Sequence, residues 1–236
     1  MSQFQASRAD PSAAARHLAF APGRWGEPDA TFPYPWSCTN GSTGCPRRPR
    51  IDDVGEFATA LAGFLNSLRG IDAPGGPPPG QHNFFRGGPL ATYEAEALEA
   101  IDTLGAEIRA EDVKRVWTDA MATSWERAPV WVHGDVAAGN LLVRDGRLAA
   151  VLDFGSSGVG DPACDVVIAW TFLSGPSRDR FRAALEVDAA TWSRGRGWAL
   201  WKALITLVGY LERDDRRAAL PRRDIDRILE DHARYG

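Results

Sequence analysis

The chain has 236 residues, a formal net charge of −4 and a sequence pI near 5.6. At 44% hydrophobic and 25% charged residues it has the composition of a soluble globular protein, long enough for one large domain or two small ones. That balance leaves no basic footprint for nucleic acid, and Cys38, Cys45 and Cys164 are too few and too scattered for a disulfide framework or a zinc site. The longest apolar run, residues 199–211, is too short to span a bilayer and carries Lys202. The start of the chain is polar and Pro-interrupted, unlike a signal peptide, so the expected location is the cytoplasm. A mildly acidic surface suits cationic ligands, but it is too common to weigh much.

Residues 1–50 are rich in Pro, Gly, Ser and Arg and hold no sustained apolar face. From Ile51 the texture changes. Val54, Phe57, Ala58, Leu61, Leu65 and Leu68 recur at helical spacing behind Asp52 and Asp53, which predicts a helix ending near Gly70. Residues 72–90 are dense in Pro and Gly and predict a long ordered or semi-ordered loop. Helices are predicted at 91–104 and 111–125. An apolar strand follows and stops at His133-Gly134-Asp135. Two further apolar runs, Leu141–Val143 and Leu148–Leu152, flank Asp145-Gly146, a strong hairpin signal. Helices are predicted at 163–174, 177–186, 189–212 and 222–234.

Folding the hairpin about Asp145-Gly146 brings Asn140 and Asp153 to its open end, with Asp135 on the loop that enters the first strand. A carboxylate beside an amide oxygen makes a pair of hard ligands suited to Mg²⁺. A second carboxylate, free of the metal, can take a proton from a hydroxyl. Transfer of a phosphoryl group from Mg-ATP to an alcohol needs that set. The spacing His133-x-Asp135-x₄-Asn140, then Asp153-Phe154-Gly155, is that of the catalytic and metal loops of protein kinases, with Gly134 in place of an Arg.

The segments HGDVAAGN, VWVHGD and VLDFGSSGVGDPACD resemble the aminoglycoside phosphotransferase family, kinase-like enzymes that include antibiotic, choline and homoserine kinases. The resemblance runs from about Ile51 into the C-terminal region. It implies an α+β, protein-kinase-like fold, mostly the helical C-terminal lobe with a small catalytic β-hairpin. It implies Asp135 as catalytic base, His133 as brace of the catalytic loop, and Asn140 and Asp153 as ligands of Mg²⁺ and so of ATP. Asp161 and Asp165 would organise the segment behind the metal loop, with Asp161 capping a helix that Pro162 begins. The acceptor would be a hydroxyl of a small molecule, aminoglycoside-like first, with a cationic acceptor open and with neither nucleic acid nor membrane as partner.

Plainer readings stand beside these. A lone His133 is more often a structural histidine. The stretch 155–160, GSSGVG, resembles a phosphate loop but follows the metal motif and precedes no Lys. Trp170, Trp192, Trp198 and Trp201 are core residues by default, with a cleft wall open for one or two. Asp214, Asp215, Asp224, Asp226, Glu230 and Asp231 alternate with Arg and read as a solvated face, or else as a rim that recognises a cation.

The resemblance fails at the front. Residues 1–50 are expected to be a degraded N-terminal lobe and hinge remnant, and 51–236 the kinase-like C-terminal lobe. No Gly-x-Gly-x-x-Gly precedes Ile51, and Lys114 and Lys202, the only lysines, follow it. Residues 32–37, FPYPWS, resemble the family's strand into the hinge. Reading residues 38–45 one nucleotide earlier permits Val-Tyr-Gln-Trp-Ile-Asp-Gly-Val, so residues 38–50 are expected to be out of frame. The alternative to an active kinase is therefore a catalytically impaired lobe or small-molecule-binding remnant.

Overall fold

The computed structural model describes residues 22–26, 36–39, 51–213 and 215–236. Among them, two short strands, β1 (Pro22–Gly26) and β2 (Trp36–Thr39), pair antiparallel. Strand β2 begins inside the stretch expected to lead into the hinge. Of the segment expected to be out of frame, residues 40–50 lie outside the described residues.

From Ile51 onward the predicted helices and hairpin occur in the predicted order, with one further strand after the hairpin. Helix α1 (Val54–Arg69) starts where Asp53 accepts hydrogen bonds from the amides of Gly55 and Glu56, and ends at Gly70. Its buried face is Phe57, Ala58, Leu61, Leu65 and Leu68, the periodic set of the sequence. Helices α2 (Glu94–Leu104) and α3 (Ala110–Met121) follow. Strand β3 (Val130–Val132) leads into the His133 loop. Strands β4 (Leu141–Arg144) and β5 (Arg147–Val151) form the predicted hairpin, with Asp145 and Gly146 both at positive φ, 51° and 72°.

Strand β6 (Gly158–Gly160) pairs antiparallel with β3, Trp131 opposite Val159. The GSSGVG stretch is therefore partly a strand and not a phosphate loop. The predicted helix at 163–174 is a 3₁₀ segment, Pro162–Val167, followed by the short α4 (Ile168–Thr171). Asp161 caps it through the Ala163 amide and Pro162 opens its first turn, as expected. Helices α5 (Gly175–Ala184), α6 (Ala189–Leu211) and α7 (Ala219–Tyr235) complete the chain.

Helix α6 is the axis of the core. It packs on the 3₁₀ segment 162–167, α2, α3 and α7. Trp170, Trp192 and Trp198 are fully buried, and Trp201 nearly so. Each of these rings takes a large apolar area out of water. The Pro/Gly loop 72–90 is ordered along β6: Val159 donates to Pro77 O at 2.9 Å and Asp161 to Gly87 O at 2.7 Å. Trp131 Nε1 donates to Asp72 O, and buried Asn83 closes the loop on the Gly80 amide. Among the described residues no helix is long and apolar enough to cross a membrane.

Candidate active site

The strand β3 is apolar because it is buried against α1, and it ends where the backbone must turn. Gly134 sits at φ +83°, and a Cβ there would lie 2.3 Å from Ser156 O. No Arg fits at that point in this chain, which accounts for the departure from the kinase pattern. The turn is clamped from below. Asp165 is buried and accepts from the amides of His133 and Gly134, each at 2.8 Å. Burial pushes the Asp165 carboxyl up, while the two amides and Arg69 pull against that shift.

His133 is fully buried. Its Nε2 lies 2.9 Å from Leu152 O, and the Asp135 amide donates to its Nδ1 at 3.2 Å. A carbonyl at one nitrogen and an N–H at the other fit only the neutral ring protonated on Nε2. The imidazole therefore ties the loop before Asp135 to the strand before Asp153. It is not among the residues that line the cleft.

Asp135 is half-buried at the cleft. Asn140 Nδ2 donates to its backbone oxygen at 2.8 Å and to Oδ2 at 3.1 Å. Lys202 Nζ donates to Oδ1 at 3.2 Å. Burial pushes this carboxyl up, but Lys202, Arg86 and Asn140 together outweigh it and hold it below the ordinary carboxylate value.

With its amide nitrogen committed to Asp135, Asn140 has its side-chain oxygen left for another donor or a cation. Leu152 donates to Asn140 O at 2.7 Å, so Asp153 follows directly beside Asn140 at the open end of the hairpin. Asp153 is exposed and in the left-handed conformation (φ 64°, ψ 68°), its carboxylate accepting from Gly155. Left-handed Asp is uncommon and tends to mark a position held for use. An amide oxygen and a carboxylate fit Mg²⁺, which takes few protein ligands and completes its shell with water and phosphate oxygens. Among the described residues no group of three His, Cys, Asp or Glu side chains gathers at one point.

Two residues at the cleft were not singled out from the sequence as site residues. Lys202 read as one charge within an apolar helix, and Arg86 as part of a Pro/Gly loop. Both line the cleft with Asp135, Trp198 and Trp201. A signal for Lys202 did exist: Arg194, Trp198 and Lys202 fall at i, i+4, i+8, one stripe of α6.

The sequence matches the model described as the phosphotransferase enzyme family over residues 35–198. The chain belongs to that family. The match begins upstream of Ile51 and takes in β2, further forward than the motifs alone suggested. No curated protein matches the sequence significantly. Among solved structures, the GDP and kanamycin complex of APH(2")-IIia superposes with a TM-score of 0.53 at 16% identity, covering 95% of this chain and 80% of that one. A thermostable mutant of aminoglycoside phosphotransferase APH(4)-Ia, in a ternary complex with AMP-PNP and hygromycin B, gives 0.52 at 19%, covering 94% and 82%. Macrolide 2'-phosphotransferase type I gives 0.50 at 17%, covering 90% and 76%. These likenesses establish the fold as α+β, helix-rich and kinase-like.

Proposed function

We propose that this phosphotransferase moves the γ-phosphoryl group of ATP to a hydroxyl of a small molecule, with Asp135 as general base. The observation that carries this reading is the placement of Asp135. Its Oδ2 is fixed by Asn140 and its Oδ1 by Lys202, at an open cleft beside the Asn140–Asp153 pair. Held ionised below the ordinary carboxylate range, Asp135 can accept the acceptor's proton at neutral pH. Asn140 and Asp153 would hold Mg²⁺, which neutralises charge on the transferring phosphoryl group. His133 and Asp165 position the loop. Residues 51–236 act in this reading as the kinase-like C-terminal lobe, and residues 1–50 as the remnant of the other lobe and hinge.

A second reading has its own observation. Lys202 is engaged by Asp135, and Lys114 lies on α3 near Asp102 and Glu111. Both lysines of the chain sit on helices, not on the strand from which a kinase lysine grips nucleotide phosphates, which favours slow turnover or a binding role.

The test is ATP consumption with a panel of acceptors, aminoglycosides first, then choline, homoserine and sugars. Asp135→Asn should lower turnover by roughly 10²–10⁴-fold while nucleotide affinity stays near wild type. Equal turnover in Asp135→Asn would remove the base from Asp135. Wild-type protein that binds an acceptor but never consumes ATP would decide for the second reading.

A further inference from the structure

We propose that the acceptor carries an anionic group, a carboxylate or a phosphate, close to its reactive hydroxyl, and that Arg86 and Lys202 recognise that group. This rests on the phosphotransferase reading, which brings the acceptor hydroxyl to Asp135.

The charge of the cleft is the first support. Its charged side chains are Asp135, Arg86 and Lys202; the walls are largely apolar, including Val136, Trp198 and Trp201. Two cations face one carboxylate. Lys202 meets Oδ1 while Oδ2 meets Asn140 of the proposed metal pair, so Lys202 lies on the side away from that pair, and Arg86 lines the same cleft. The cationic side is therefore the acceptor side.

Arg86 is the second. Among the described residues its side chain makes no ion pair and no hydrogen bond, and its Nε is buried without a partner. A buried unpaired donor is costly and calls for an acceptor. The guanidinium carbon lies 5.1 Å from the Trp198 ring centre and 5.3 Å from that of Trp201. The rings hold its position and leave N–H groups that match the two oxygens of a carboxylate or phosphate.

The backbone before Arg86 is the third. Phe84 and Phe85 are both left-handed, φ 53° and 51°. The Phe85 amide donates to Gly80 O at 2.8 Å, and the Tyr93 hydroxyl donates to Phe84 O at 2.8 Å. Two consecutive strained residues, over-determined by their neighbours, aim the next side chain; such strain collects at ligand clamps.

Finally, several carboxylates that a polycation could use are taken. Asp215 is held by Arg217, Asp224 by Arg223, and Asp231 by the Trp192 indole with Arg178 and Arg196 near it. Glu96 accepts from Trp201 Nε1. Of that acidic stretch, Asp215, Asp224 and Asp231 are engaged in internal pairs, Asp226 and Glu230 stay exposed, and Asp214 lies outside the described residues.

Calorimetry on the full chain tests this without requiring turnover. The probes are D-glycerate and ribose 5-phosphate, their neutral counterparts glycerol and ribose, kanamycin as a polycation, and Mg-ATP. Each anionic probe should bind at least about tenfold more tightly than its neutral counterpart. Arg86→Gln and Lys202→Gln should each erase that preference, Arg86→Lys should keep part of it, and Mg-ATP affinity should stay within about twofold. Circular dichroism confirms folding; if Arg86→Gln does not fold, Arg86→Lys and Lys202→Gln carry the comparison. Three results would overturn the proposal: neutral probes binding as well as anionic ones, kanamycin binding more tightly than any anion, or Arg86 and Lys202 variants losing Mg-ATP in step with the anions. The last would make the two cations nucleotide ligands. Anion binding without any ATP consumption would leave this inference standing and count against the kinase reading alone.

Discussion

One stripe of α6 serves two carboxylates in different ways. Arg194 meets Asp161 with two N–H groups, at 2.7 and 3.2 Å, and the pair is 3% and 5% exposed. Asp161 also accepts from the Ala163 amide. Further along the same stripe, Lys202 meets Asp135 with a single contact at 3.2 Å, and that pair is 39% and 36% exposed. The first carboxylate is dry and its acceptor sites are filled; it can only hold the helix to the segment behind β6. The second has Lys202 at one oxygen and Asn140 at the other but keeps solvent access, as the proposed base must. Burial and solvent access, not residue type, separate the strut from the carboxylate proposed as the base.

The strut should break with the largest effect on stability. Arg194→Ala would leave Asp161 charged and buried with a capping amide as its main partner. The expected loss is about 3–5 kcal/mol, read from denaturant midpoints at an unchanged slope. Arg194→Met combined with Asp161→Asn should recover most of it, since a buried pair can be replaced by neutral groups of similar size. A loss below ~1 kcal/mol in the single variant would mean that the pair is already hydrated and that the contrast with Asp135 is false.

Asp224 on α7 sharpens what partner quality means. It is 7% exposed, but Arg223 and Arg227, its partners, are 38% and 21% exposed at the side chain. Burial wins over both arginines and raises its carboxyl to about 6. Between the unfolded value of 3.8 and about 6, the folded chain keeps a proton that the unfolded chain releases. This contribution is complete below the unfolded value, falls as pH rises through about 6, and amounts to on the order of 3 kcal/mol. Asp224→Asn should flatten that part of the stability–pH curve. A carboxyl titrating near 4 by NMR would show that the two arginines match Arg194 after all.

Most of this architecture was legible because the physics that sets it is local. The α1 periodicity, the Asp53 cap, the Asp145-Gly146 turn and the Asp161-Pro162 start each need only a few consecutive residues. The HGDVAAGN and Asp153-Phe154-Gly155 stretches were legible as motifs, and Asn140 and Asp153 meet at the open end of the hairpin. Lys202 and Arg86 were not, because 67 residues of chain separate Lys202 from Asp135, and Arg86 depends on two strained phenylalanines that composition cannot reveal. The 3₁₀ segment 162–167 read as α-helix, since Pro162 and Asp161 suit either start. The acidic residues at the C-terminal end could not be sorted by sequence alone: Asp231 is 2% exposed and Asp226 67% at its side chain, though both stand on one Arg-rich helix.

The smallest effect belongs to the third carboxylate of α6, at its beginning. Asp188 caps the helix by accepting from the Thr191 amide at 2.7 Å and lies 2.9 Å from Arg127, with 39% of its side chain exposed. It is partnered like a strut but wet like the reactive group. Burial pushes its carboxyl up, but the Thr191 amide and hydroxyl, Arg127 and Arg194 outweigh that and hold it below the ordinary value. A depressed folded value means a contribution that is present above the unfolded value and lost as pH falls through the folded one. Asp188→Ala should therefore cost about 1 kcal/mol at neutral pH, the usual worth of an N-cap, and the gap to wild type should shrink on acidification. Asp188→Asn keeps the capping oxygen without the charge, so it should sit close to wild type at neutral pH and hold its advantage over Ala in acid. If Asn proves as poor as Ala at pH 7, the charge pairing with Arg127 outweighs the cap, and exposure would no longer be the feature that keeps this carboxylate's contribution small.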